Sequence, residues 1–89
     1  MSPEQREVLR TAILRTLDTN QTRFGLTVPA VTVHLIPQGF KVEPEEVERE
    51  LDYLADKQLA EPVKRSLSPE NRAWRINANG RDWLAEHGF

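Results

Sequence analysis

The side chains able to do chemistry in this chain fall into two adjacent blocks of opposite sign. Glu43, Glu45, Glu46, Glu48, Glu50, Asp52 and Asp56 crowd one stretch, and residues 41–61 sum to −5. Lys64, Arg65, Arg72, Arg75 and Arg81 follow with only Glu70 against them, and residues 62–81 sum to +4. Paired carboxylates are what acid–base catalysis or a hard cation requires, whereas clustered guanidinium groups suit a phosphate backbone. The carboxylates are spread around one exposed helix, however, which suits helix formers and solubilising charge better than a metal site. His34 and His87 lie far apart, and with no cysteine beside them they fit packed or solvated side chains better than ligands. Ser2, Ser66 and Ser68 have no base at motif spacing, and Gly25, Gly39, Gly80 and Gly88 are isolated. Neither an activated nucleophile nor a phosphate-cradling loop follows from such patterns. The expectation is a protein that is not an enzyme and carries no cofactor or metal.

Composition narrows the class further. The 89 residues hold 12 Lys+Arg against 14 Asp+Glu and no cysteine, a formal charge of −2. A chain of this length makes one domain, here residues 1–89, and can bury enough surface to fold without a staple. Disulfide scaffolds and thiolate zinc sites are excluded, and a cytoplasmic location is expected. No apolar run approaches a membrane span, and Met1-Ser2-Pro3-Glu4-Gln5-Arg6 lacks the apolar core of a secretory signal.

Ser2-Pro3-Glu4-Gln5 reads as a capping box with proline at the first helical position. Behind it Leu9, Ala12, Ile13, Thr16 and Leu17 form a helical stripe, which the polar stretch Asp18 to Thr22 should end. From Phe24 to Val42 the pattern is ambiguous. Thr27-Val28-Pro29 suits a helix start, yet Val28, Val31, Thr32 and Val33 are β-branched and suit a strand equally. Pro37 and Gly39 must close whichever forms.

A third element, about 43–57, has Pro44 at its first position, carboxylates in its first turn, and Val42 and Val47 placed as a hydrophobic staple. Val47, Leu51 and Leu54 form its buried stripe. The period then becomes alternating over about 59–77, with Leu59, Val63, Trp74 and Ile76 facing in and a turn at Ser68-Pro69-Glu70-Asn71: a β-hairpin. Pro62 requires an edge or unpaired position. Asn77 can cap a closing helix over about 78–86, with Trp83 and Leu84 on its inner face.

Helix, helix, turn, helix, hairpin, helix is the order of a winged helix-turn-helix domain, mostly α with a small antiparallel hairpin. That order makes Val28 to Ile36 the second helix and Phe24-Gly25-Leu26 a small extra strand. The spacing Val47-x3-Leu51-x2-Leu54-x4-Leu59 before a hairpin resembles many bacterial winged-helix regulators, with Gln58 where they commonly carry glycine. Trp74-Arg75-Ile76-Asn77-Ala78-Asn79-Gly80, continuing to Trp83-Leu84, is similar to their aromatic-x-Leu-Thr-x-x-Gly ending, with Asn77 replacing the capping threonine. From Phe24 to Leu59 the chain most resembles the small winged-helix proteins of Mu-like prophages. Its motifs there are the apolar second helix, Gly39, Val42 and Val47-x-x-Glu50-Leu51-x-x-Leu54. What the resemblance implies is a bacteriophage protein of DNA binding and transcription regulation.

Charge placement qualifies that expectation. Opposite the buried stripe of the third helix lie Glu45, Glu48, Arg49, Asp52, Tyr53 and Asp56. Four carboxylates facing phosphates would oppose the usual insertion of this helix into the major groove. The expected contact with double-stranded DNA therefore rests on Lys64, Arg65, Arg72 and Arg75 of the hairpin, with Arg49 the one candidate in the helix. The alternatives are a hairpin whose charges only balance the acidic helix, or a protein-binding surface made of Glu45, Glu48, Asp52, Tyr53 and Asp56. Trp74 is expected in the core. Trp83 is left between core and a homodimer patch on the last helix.

Overall fold

A computed structural model describes residues 2–21, 24–63 and 72–87. Helix α1, Pro3–Thr19, starts on the expected capping box: the Ser2 hydroxyl accepts from the Gln5 N–H at 3.2 Å, and the Ser2 N–H donates to Gln5 Oε1 at 3.0 Å. Its buried arc holds the expected stripe and also Thr11 and Leu14. Strand β1 is Leu26–Thr27, starting two residues and ending one residue later than expected. Thr27 then decides the ambiguous segment, because its hydroxyl accepts from the Ala30 N–H and caps helix α2, Val28–Leu35. A single 3₁₀ turn, Ile36–Gln38, continues α2, and Pro37 lies in it.

Helix α3, Pro44–Asp56, follows, and then strand β2, Ala60–Pro62, strand β3, Ala73–Ile76, and helix α4, Ala78–His87. The strands form one antiparallel sheet in the order β1-β3-β2. Pro62 ends an edge strand, where its missing N–H costs little. The register corrects one expectation. Ala60, opposite Ile76, is the inward residue of β2, while Leu59 precedes the strand and packs beneath it. The described buried side chains form one core, built around Trp74, Leu9, Ile13, Leu17, Leu35, Leu51 and Leu54. Among the described residues no helix is long and apolar enough to cross a membrane.

The ends of α2 and α3 use the same device. After α2, Gly39 N–H bonds the Ile36 carbonyl and Phe40 N–H the Leu35 carbonyl; after α3, Gln58 N–H bonds Ala55 and Leu59 N–H bonds Leu54. Each is a Schellman motif, which demands a left-handed residue at its centre. Gly39 meets that demand freely at φ 93°, whereas Gln58 holds φ 61° against its own Cβ. Gln58→Gly is therefore expected to stabilise the fold by about 0.5–1 kcal/mol, a rise of several degrees in Tm. A thermal melt with Tm unchanged or lowered would contradict this.

Candidate interaction surface on the third helix and hairpin

Helix α3 has three differently occupied sides. Val47, Leu51 and Leu54 point into the core. One flank faces the hairpin, and there the Arg72 guanidinium lies 3.4 Å from Glu48 Oε1 and 3.7 Å from Asp52 Oδ1. The same guanidinium sits 5.2 Å from the centre of the Trp74 ring, covering an indole that is otherwise buried. The hairpin thus folds one of its cations onto the acidic helix. Glu45, Arg49 and Asp56 occupy the outward ridge, all exposed.

The second described hairpin cation is also paired. Arg75 and Glu61 are opposite each other in the β2–β3 register, and their side chains meet at 3.5 Å. Both sets of partners are roughly half exposed, so water screens them, and each pair is worth about 0–1 kcal/mol. Lys64 and Arg65, the other two hairpin cations expected to contact DNA, lie outside the described residues.

The opposite flank of α3 departs from expectation. Glu50 is buried, and its carboxylate accepts a hydrogen bond from Arg10 Nε of α1. It is not one of the solvated helix charges it resembled by type. Tyr53 is exposed, as expected, and its ring lies on this flank. The Arg10 guanidinium lies 3.7 Å from the Tyr53 ring centre and Lys57 Nζ lies 5.6 Å away. Arg10 is therefore clamped between a carboxylate and an aromatic face, which fixes α1 against α3. A signal for this existed in the sequence. At about 100° per residue Arg10 falls between Leu14 and Leu17, inside the apolar arc of α1, and a charge placed there must find a partner.

All five residues expected to form a protein-binding face, Glu45, Glu48, Asp52, Tyr53 and Asp56, are exposed, with the Tyr53 ring lying beside Arg10 and Lys57. Trp74 is in the core, with 1% of its surface exposed. Trp83 and Leu84 are partly buried and pack against that core, and the Trp83 ring stacks on His87 at 4.8 Å. Trp83 and Leu84 thus touch the core while part of each stays exposed. Comparison of the chain with protein-family models, with curated proteins and with solved structures finds no match.

Proposed function

We propose that this chain is a winged helix-turn-helix module of the phage type, acting in gene control, which contacts duplex DNA through its hairpin rather than by inserting α3. Fold-level analogy supplies the class: two helices joined by a tight turn, with an antiparallel sheet of order β1-β3-β2 beside the second of them. One observation carries the choice of hairpin. The exposed ridge and hairpin flank of α3 together present Glu45, Glu48, Asp52 and Asp56 with Arg49 as their single cation, whereas Arg72 and Arg75 are exposed and their ion pairs are screened by water. A phosphate oxygen forms a stronger, charge-assisted and often bidentate contact with guanidinium, and displaces such a pair at little cost.

If Lys64, Arg65, Arg72 and Arg75 each neutralise one phosphate, affinity for random-sequence duplex falls on the order of 100-fold between about 50 and 200 mM salt. Arg72→Ala with Arg75→Ala is expected to weaken binding at least about tenfold in fluorescence anisotropy, since each lost phosphate contact removes electrostatic free energy. Glu48→Gln with Asp52→Gln frees Arg72 and removes repulsion, so it should tighten binding. Absence of binding at low salt overturns the reading.

The same contacts favour a second reading. Glu48 and Asp52 already hold a guanidinium, so this face of α3 is shaped to receive the arginine of a protein partner in phage gene control or particle assembly. Here Glu48→Gln with Asp52→Gln has the opposite consequence, loss of the partner in a nuclease-treated pull-down.

A further inference from the structure

Of the four asparagines in the chain, only Asn79 precedes a glycine. Such a pair carries its own chemistry. The Gly80 main-chain nitrogen can attack Asn79 Cγ and lose its proton. The Cγ–Nδ2 bond breaks, ammonia leaves with that proton, and a cyclic imide remains. Water then opens the ring at either carbonyl carbon, leaving its hydroxyl there and returning a proton to the Gly80 nitrogen. The product at position 79 is aspartate if the newly made bond breaks, and isoaspartate if the original main-chain bond breaks. Glycine favours ring closure because no Cβ crowds its nitrogen, whereas Gln21, Arg72 and Ala78, which follow the other asparagines, each carry one.

The fold opposes the first step. Asn79 lies in the first turn of α4, where a helical ψ of about −42° holds the Gly80 nitrogen out of line with Cγ. The proton that must leave is engaged, since the Gly80 N–H donates to Asn77 Oδ1 at 2.9 Å. Gly80 is itself buried, and a Cβ there would overlap the Leu59 carbonyl oxygen, so its backbone has no room to turn. The Asn77 N–H bonds that same Leu59 carbonyl, and the Arg81 N–H bonds the Asn77 carbonyl. The Asn79 side chain, by contrast, is exposed, so only the backbone of this one turn restrains it. We infer that Asn79 is a latent deamidation site, closed by the Asn77 cap and released when the first turn of α4 opens. The packing that demands glycine at position 80 also supplies the reactive pair. Opening parts this turn from Leu59 and leaves Leu9, Ile13 and Leu51 in place, a local event and not global unfolding. An aspartate product adds a carboxylate to a first turn that has none, where the helix dipole accepts it. An isoaspartate product lengthens the main chain by one carbon. The cap and the Gly80 seat then cannot re-form together, and Trp83 and Leu84 lose their fixed docking on the core. The inference does not depend on the DNA-binding reading.

Timed incubation of the full chain in neutral buffer, followed by tryptic digestion and mass spectrometry, tests this. Cleavage after Arg75 and Arg81 releases residues 76–81, which carry Asn79 together with Asn77 as an internal control. In the native chain, modification at position 79 should run at least about tenfold slower than in the urea-unfolded chain, where the cap is lost. Asn77→Ala should speed the native reaction about fivefold, the rise in opening expected when one N-cap is removed. Asn77→Ser, which can still cap, should stay near the wild-type rate. Glu50→Ala weakens the fold away from α4 and should leave the rate unchanged. Equal rates in the native and unfolded chains, or an unmodified Asn79 in both, overturn the proposal. So does an Asn77→Ala rate equal to wild type. Acceleration by Glu50→Ala as large as that by Asn77→Ala overturns it too, because global stability and not the cap would then be the guard.

Discussion

Gly80→Ala is expected to lower the melting temperature by more than about 10 °C, although alanine is the better helix former by about 1 kcal/mol. A Cβ at position 80 would lie far inside van der Waals contact of the Leu59 carbonyl oxygen and 2.6 Å from Ile76 Cγ1. The first obstacle is backbone, so no rotamer change relieves it, and α4 must move away from the Leu59 turn. That shift would strain the Asn77 cap, whose Oδ1 accepts from the Gly80 N–H at 2.9 Å, and loosen Trp83 and Leu84 from the core. Overpacking of this kind costs about 1–3 kcal/mol and more against rigid backbone. The sign of the change is decisive. If α4 were not docked so closely, the same substitution would raise stability, and a Tm above wild type in calorimetry would refute the packing described.

Glu50→Ala should destabilise the fold by about 2–3 kcal/mol, somewhat less than the 3–5 kcal/mol typical of breaking a fully buried pair. The discount follows from exposure: the Arg10 side chain keeps 21% of its surface in water, so the orphaned guanidinium is partly rehydrated. Arg10→Ala removes the same pair and also the cation held over Tyr53. In a double-mutant cycle the two sites, 40 residues apart in sequence, should couple by more than about 1 kcal/mol. Coupling below about 0.3 kcal/mol, the level of independent sites, would mean that the pair is merely a surface contact. Replacing both residues by apolar ones of similar volume is expected to restore much of the loss, because the pair's desolvation then no longer has to be met.

The parts of the fold set by local chemistry were legible in the sequence. Ser2, Pro3 and Gln5 mark the start of α1, Pro44 that of α3 and Asn77 that of α4, because each satisfies or dispenses with a donor within a few residues. Pro62 predicted its own edge position for the same reason. Long-range features were harder to see. A carboxylate such as Glu50 is read as outward by type, and only its distant partner Arg10 makes burial tolerable. The inward residue of β2 is the small Ala60, followed by Glu61 and Pro62, so alternation is faint and Leu59 and Val63 are the more conspicuous apolar residues. Segment charges located the acidic and basic blocks but not their contact. That Arg72 lies across Glu48 and Asp52 depends on the hairpin packing beside α3. The small net charge thus conceals two opposed blocks that partly neutralise each other inside the molecule.

Whether the hairpin is the DNA-contacting element is tested most directly by mapping backbone amide shifts as random-sequence duplex DNA is added across a salt series. The proposed function predicts shifts concentrated in residues 61–75, fading between about 50 and 200 mM salt, with the outward ridge of α3 at Glu45, Arg49 and Asp56 little changed. Hairpin amides that stay unmoved by DNA at the lowest salt, or shifts that begin on the α3 ridge, would contradict it.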